Sequence, residues 1–174
     1  NLINQVSKSI IFLKIIKFLF NKSDIFLCQG AKWDAFAFNQ LHINKLKIKT
    51  VGNWTATDSL LNIGNNKYYN RNKINFIFIG WIEEHKGIFE LLNAANLLLK
   101  KNIDFNLTLV GGGNAEFAAK EFTKKNEMNN NISFVGWKNT TELNTILEQN
   151  DVFVLPSWYE GMPTSMIESM AAGL

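Results

Sequence analysis

The chain of 174 residues contains one cysteine, two histidines and a single arginine, Arg71. The lone cysteine, Cys28, leaves no partner for an intramolecular disulfide and favours a reducing, cytoplasmic setting. His42 and His85 lie far apart and lack the spacing of metal ligands, so we predict no metal site and no cofactor. Lysine supplies nearly all of the positive charge, and the net charge is only +3. A dedicated nucleic-acid surface is therefore not indicated.

A long hydrophobic run is also absent. Residues 10–20 are apolar apart from Lys14 and Lys17, but a membrane-spanning helix needs about 20 apolar residues. The run lacks the small-residue cleavage site of a signal peptide. We interpret it as a buried or half-buried helix. The alternative is a basic amphipathic helix that makes peripheral contact with the inner face of a membrane, which two lysines support less well.

In the rest of the chain, apolar strand-like runs alternate with segments of helical periodicity. The hydrophobic fraction of the whole chain, 47%, is enough for a core. An early strand–helix–strand unit is followed by a polar segment, residues 54–74, that we predict to be an interdomain linker. From residue 75 the alternation predicts an α/β fold with a doubly wound, parallel, Rossmann-like sheet. The predicted strands are 25–28, 45–51, 75–79, 106–110, 132–135 and 152–155, and the predicted helices are 31–41, 88–101, 115–126, 140–150 and 164–173.

The most informative stretch runs from Asp151 to Gly173 and combines a buried strand, a tight turn and a helix. Thr164 and Ser165 are good capping residues, Pro163 suits the first turn, and Gly173 is a plausible left-handed stop. Because ligands of parallel sheets bind at the carboxyl ends of the strands, this helix start is a natural site for a phosphate.

Two carboxylates bracket that turn, Glu160 before it and Glu168 within the helix. Either can accept hydrogen bonds from ligand hydroxyl groups, so the stretch suggests a nucleotide sugar as ligand. Lys86, in the loop after the strand at 75–79, is either a phosphate partner or an ordinary solvated lysine. Gly111 opens a triple glycine, but Glu116 breaks the dinucleotide-binding fingerprint, so these glycines are interpreted as a tight turn.

Four features together resemble glycosyltransferase family 4, whose members are retaining enzymes of the GT-B fold. They are Gly80-x5-Lys86-Gly87, the strand ending at Gly111, Phe134-Val135-Gly136, and the E-x7-E pattern from Glu160 to Glu168 followed by Ala171-Ala172-Gly173. The resemblance extends from about residue 25 to the end. It implies metal-independent transfer of a sugar, with retention, from a nucleotide diphosphate sugar to a glycan or lipid-linked acceptor.

The resemblance also assigns domains. Residues 1–53 would be the last part of the acceptor-side N-terminal domain, and residues 75–174 an incomplete nucleotide-sugar-binding domain. The chain starts without methionine and stops one residue after Gly173, so we expect a GT-B fragment truncated at both ends and inactive alone.

Site roles follow from the same resemblance. Glu160 and Lys86 would be catalytic, with Glu160 facing the donor sugar, and Glu168 would bind the ribose. The other donor-binding residues would be Gly80, Gly111, Gly136, Trp137 and Lys138, the last two beside the base, with Gly161, Met162 and Pro163 at the sugar and Thr164 and Ser165 at the diphosphate.

One position departs from the family pattern, because Trp81 stands where an arginine usually follows the glycine matching Gly80. A second cation for the diphosphate is thereby lost. This departure supports the alternative that the protein is a non-catalytic GT-B-like module that binds a nucleotide or glycan. Another GT-B enzyme, such as an epimerase or phosphorylase, is a third option.

Overall fold

The structure is a computed structural model that describes residues 10–52, 55–67 and 73–174. The chain divides into two compact units, residues 1–53 and residues 54–174, which are considered separately below.

The first unit is a small strand–helix–strand arrangement. It contains helix α1 (Ile10–Asn21), strand β1 (Phe26–Cys28), helix α2 (Ala31–Asn39), a 3-10 turn (Lys45–Lys47) and strand β2 (Ile48–Thr50). The two strands pair in parallel, as the sequence predicts, with Phe26 opposite Ile48. Strand β2 is shorter than predicted because Asn44 accepts a hydrogen bond from the Leu46 N–H and starts the 3-10 turn. Cys28 is a buried core residue, and burial together with the neighbouring Asp34 raises the pKa of its thiol to about 11.

Helix α1 forms where the sequence predicts it, but only one of its faces is buried. Leu13 and Ile16 pack against the core of the first unit. Ile11, Phe18 and Leu19 are exposed. The helix is therefore half-buried, which is one of the two forms that the sequence interpretation allowed. In the described part of the chain no helix is both long and apolar enough to cross a membrane.

The second unit is a four-stranded parallel sheet with helices on both faces. Its strands are β3 (Ile74–Ile79), β4 (Phe105–Val110), β5 (Ile132–Gly136) and β6 (Val152–Phe153), and its helices are α3 (Asp58–Asn65), α4 (Ile88–Lys100), α5 (Glu116–Lys125), α6 (Thr140–Gln149) and α7 (Thr164–Ala171). The spatial order is β5-β4-β3-β6. The predicted α/β fold with a doubly wound parallel sheet is confirmed.

The side chains of β3 point alternately to the two faces of the sheet, and each face has its own hydrophobic core. Phe78 points to the face covered by α4 and α5, where it packs with Leu92 and Ala119. Ile77 points to the other face and joins a second core with Leu60 of α3, Leu147 of α6 and Ala172. Because successive side chains of a strand point to opposite faces, a strand buried on both faces is apolar throughout.

Helix α3 lies inside the segment predicted as a linker and was missed by the sequence pattern. Thr57 caps it by accepting a hydrogen bond from the Leu60 N–H, and Leu60 is buried. Gly64 lets the helix approach α7, since a Cβ there would lie 2.5 Å from the Ala171 carbonyl oxygen. Residues 54 and 68–72 of the predicted linker lie outside the described residues. The domain assignment of residues 54–74 stays a prediction, although residues 58–65 are helical.

Neighbouring leucines test whether α3 is an integral part of the second unit. Leu60 is 4% exposed and Leu61 is 46% exposed. We expect Leu60→Ala to lower the free energy of unfolding by about 2–4 kcal/mol, because it leaves a cavity in the core. Leu61→Ala is the matched control and should cost less than about 1 kcal/mol. Urea unfolding measures both, and equal effects would mean that α3 does not contribute to the core.

Candidate functional site

The candidate site lies at the carboxyl edge of the sheet, where the strand order reverses. Strand β3 pairs with β4 on one side and with β6 on the other. The loops that follow β3 and β6 therefore meet at the point where ligands of doubly wound sheets bind. Lys86 and Glu160 belong to these two loops, and Lys86 Nζ lies 2.7 Å from Glu160 Oε1. The two side chains are 20% and 22% exposed, although the Glu160 residue as a whole lies at the surface.

Further contacts fasten the two loops around this ion pair. Gly87, which follows Lys86, adopts a left-handed conformation with φ 70°, and its missing Cβ leaves room for the Pro156 carbonyl group. The Trp158 N–H donates to the His85 carbonyl oxygen at 3.0 Å, and the His85 ring stacks on Tyr159. The position of Lys86 relative to Glu160 is therefore set by the backbone and not by the two side chains alone.

Trp158 and Tyr159 were not among the predicted site residues. The indole Nε1–H of Trp158 donates to Glu90 Oε1 at 3.0 Å, which ties the loop to helix α4. Their only sequence signal is their place directly before Glu160.

The two glutamates have opposite electrostatic environments. Burial acts to raise the pKa of Glu160, but the Lys86 ammonium, the Ser157 hydroxyl and His85 together hold that pKa below its usual value. Glu168 lies half-buried on α7, and burial raises its pKa. Among the described residues the Glu168 carboxylate makes no hydrogen bond or ion pair, so its oxygens are available to ligand hydroxyl groups.

Helix α7 begins one residue earlier than a cap at Thr164 would require. Its N-cap is Pro163, which has no side-chain oxygen, and Thr164 and Ser165 are the first helical residues. The prediction that these two residues cap the helix, with Pro163 in the first turn, is therefore wrong. Within the described residues their backbone N–H groups have no acceptor, so they can donate to an anion. The predicted left-handed stop at Gly173 is confirmed by its φ of 77°.

The remaining predicted residues line the same edge after β3, β4 and β5. The N–H of Gly80 donates to the Val110 carbonyl oxygen and that of Gly111 to the Gly136 carbonyl oxygen, which joins the three strand ends. Lys138 Nζ lies 3.3 Å from Glu142 Oε1. Gly161 and Met162 are exposed in the turn before α7.

The structure thus brings Lys86 and Glu160 together, whereas no hydrogen bond or ion pair in the described residues joins Glu168 to either. In the described part of the chain, no three histidine, cysteine or acidic residues converge as a metal site would require. The individual roles assigned to the site residues stay predictions.

Comparison with known proteins identifies the family. A family model described as glycosyl transferases group 1 matches residues 65–174, more than half of the chain. The chain belongs to this glycosyltransferase family.

Two relatives illustrate the similarity. An uncharacterized glycosyltransferase of Haemophilus influenzae is 30% identical over 125 residues, which cover 68% of this chain and 35% of the relative. The Escherichia coli UDP-Gal:alpha-D-GlcNAc-diphosphoundecaprenol alpha-1,3-galactosyltransferase is 26% identical over 159 residues, which cover 85% of this chain and 40% of the relative. The family member therefore spans well under half the length of these relatives.

Solved structures show the same fold. Staphylococcus aureus TarM, in complex with UDP and other ligands, superposes with a TM-score of 0.73 at 22% identity, over 92% of this chain and 31% of TarM. Anabaena HepE, in complex with UDP and glucose, superposes with a TM-score of 0.69 at 15% identity, over 95% of this chain and 47% of HepE. The fold of this glycosyltransferase chain matches that of GT-B enzymes.

The Glu168 carboxylate, which has no polar partner among the described residues, is expected to lower the stability of the folded protein. Because the folded-state pKa of Glu168 is raised, its ionised form destabilises the fold at neutral pH. We expect Glu168→Gln to raise the melting temperature at pH 7.5, because the glutamine amide carries no charge. The gain should shrink as the pH falls through the raised pKa, since the wild-type carboxyl group then becomes neutral as well.

Thermal unfolding at pH 7.5 and near pH 4 checks this prediction. Glu121→Gln, on the exposed surface of α5, is the matched control and should show no such gain. A gain for Glu168→Gln that persists unchanged at the acid pH would contradict an origin in the buried charge.

Proposed function

We propose that this chain is the donor-binding part of a retaining, metal-independent glycosyltransferase of family 4. The enzyme transfers a sugar from a nucleotide diphosphate sugar to a glycan or lipid-linked acceptor. The observation that carries the proposal is the Lys86–Glu160 pair at the reversal of strand order, beside the start of α7.

The proposed binding step is an exchange of partners. Before the donor arrives, Lys86 is neutralised by Glu160. The diphosphate binds to the N–H groups of Thr164 and Ser165 and draws Lys86 towards its oxygens, where charge develops as the leaving group departs. Glu160 then faces the hydroxyl groups of the donor sugar, and Glu168 accepts hydrogen bonds from the ribose.

Similar proteins support the substrate class. The Escherichia coli relative is named for a UDP-galactose donor and a diphosphoundecaprenol-linked acceptor, and an Erwinia amylovora relative for amylovoran biosynthesis. We propose a hexosyl transfer in polysaccharide biosynthesis at the cytoplasmic side of the membrane. Since the chain spans 26% to 41% of four relatives, acceptor binding and turnover are assigned to the complete protein and not to this chain alone.

A thermal-shift screen of the full-length protein against UDP-, GDP- and ADP-sugars tests the proposal. A donor at about 100 times its Kd should stabilise the folded protein by about 2.7 kcal/mol. We expect one base to give such a shift and Glu168→Ala to abolish it, because the ribose loses its acceptor. Glu121→Ala should retain the shift. The absence of a shift with every donor would contradict the proposal.

A non-catalytic module that binds a nucleotide or glycan is the second candidate. It is favoured by Trp81 in place of a cation and by the neutralisation of Lys86 by Glu160. Binding of a nucleotide diphosphate sugar without hydrolysis or transfer in the full-length protein would support this candidate over the first.

Peripheral membrane contact is proposed for the exposed side of α1, where Ile11, Phe18 and Leu19 are exposed and Lys14 and Lys17 lie on the same helix. We expect Phe18→Asp to reduce co-sedimentation of the full-length protein with vesicles containing anionic lipid by several-fold. Phe117→Asp, an equally drastic change at an exposed site on α5, is the control. Equal binding of both variants and the wild type would contradict a role for α1.

A further inference from the structure

Two strands of the second unit end in the same dipeptide, glycine followed by tryptophan. Strand β3 leads into Gly80-Trp81, and β5 ends at Gly136, followed by Trp137. The two indole rings meet edge to face, with centroids 4.9 Å apart and an interplanar angle of 73°. They are 55% and 56% exposed. In an edge-to-face pair, one ring leaves both of its faces uncovered by the other, so a flat ligand can still stack there.

The strand between the two tryptophans ends in a loop of three glycines. Strand β4 lies between β3 and β5 and runs into Gly111-Gly112-Gly113. A Cβ at Gly112 would lie 3.2 Å from Trp137 Nε1, and one at Gly113 would lie 2.5 Å from the Ile82 carbonyl oxygen. The glycines therefore allow this loop to lie directly against its neighbours. Besides Trp137, the side chain nearest to Gly112 is Glu116, whose Oε2 would lie 3.2 Å from a Cβ there and whose carboxylate is paired with Lys120.

The charges at this edge are largely balanced within the protein. Lys86 is paired with Glu160, and Lys138 lies within 3.3 Å of Glu142. Trp81 itself contributes no charge. What the β3 and β5 ends offer to a ligand is thus an apolar aromatic surface, which suits a planar ring better than a phosphate.

We infer that Trp81 and Trp137 together form a stacking surface for the base of a nucleoside diphosphate donor, so that Trp81 binds the donor through its nucleoside and not through its diphosphate. The inference rests on the proposed function and deepens it by naming Trp81 as a donor-binding residue. Stacking of a base on an aromatic side chain is tolerant of base identity, so the exact base is left to the experiment.

The test separates the nucleoside from the phosphates. In the full-length protein, uridine, guanosine and adenosine, their diphosphates and inorganic pyrophosphate are titrated into the wild type and into Trp81→Ala, Trp81→Phe and Trp81→Arg. We expect Trp81→Ala to weaken the preferred nucleoside and its diphosphate by a similar factor of about 5- to 100-fold, while pyrophosphate binding is unchanged. Trp81→Phe should recover most of the loss, because a phenyl ring can also stack.

Tryptophan fluorescence supplies an independent readout. Binding of the nucleoside should change the emission of the wild type, and part of that change should be missing in Trp81→Phe. Phe117→Ala, which removes another exposed aromatic ring from the second unit, should behave as the wild type in every titration. Thermal unfolding confirms that each variant is folded.

Several results would overturn the inference. One is a Trp81→Ala variant that binds the nucleoside as the wild type does, or that loses pyrophosphate as strongly as the diphosphate. Another is a nucleoside that binds to the wild type without changing its tryptophan emission. If Trp81→Arg binds the diphosphate more tightly and Trp81→Ala is unchanged, the position responds to charge alone and the inference fails while the proposed function stands. A wild type that binds no nucleotide at all would overturn both.

Discussion

The central position of β3 is the constraint on which the rest of the site depends. It pairs with β4 along its whole length but with β6 through only two residues, Val152 and Phe153. So short a strand cannot hold its loop by ladder hydrogen bonds alone. Asp151 adds two hydrogen bonds to this short pairing. Its N–H donates to the Asn75 carbonyl oxygen, and its Oδ2 accepts from the Asn75 N–H. Beyond the strand, contacts between the β3 and β6 loops continue the attachment up to Lys86 and Glu160.

That attachment explains why two glutamates in one motif acquire different properties. Glu160 lies in the fastened loop, where a lysine from the neighbouring loop stabilises its charge. Glu168 lies on α7, half-buried and without such a cation, so its charged form is disfavoured. A carboxylate that already has a cationic partner must exchange it on ligand binding, whereas one without a partner gains its first hydrogen bonds from the ligand. The two positions are therefore suited to different parts of one donor molecule.

Local sequence patterns were sufficient to predict the strands and most helices. Apolar runs closed by glycine and amphipathic stripes are properties of short segments, so they can be recognised without knowing the fold. Helix α3 escaped prediction since it has only eight residues, includes Gly64 and lies among polar residues. The exposure of α1 depends on which segments pack against it, and the periodicity of its own sequence does not show this. The Lys86–Glu160 contact joins residues 74 positions apart, so only the strand order could reveal it. The meeting of Trp81 and Trp137 depended on that order in the same way.

If the protein binds a nucleotide diphosphate sugar as proposed, a tryptophan in place of an arginine changes which interaction holds the donor. The attraction between an exposed cation and a diphosphate is screened by salt within about 8–10 Å, whereas stacking on an indole is much less sensitive to ionic strength. Stacking of the base, however, is the same in the ground state and the transition state, so it lowers KM without accelerating the chemical step. In the proposed reaction, charge that develops on the leaving group would then have to be stabilised by Lys86 and the start of α7. Since Lys86 is shared with Glu160, the rate of transfer would depend on how completely the donor displaces that carboxylate.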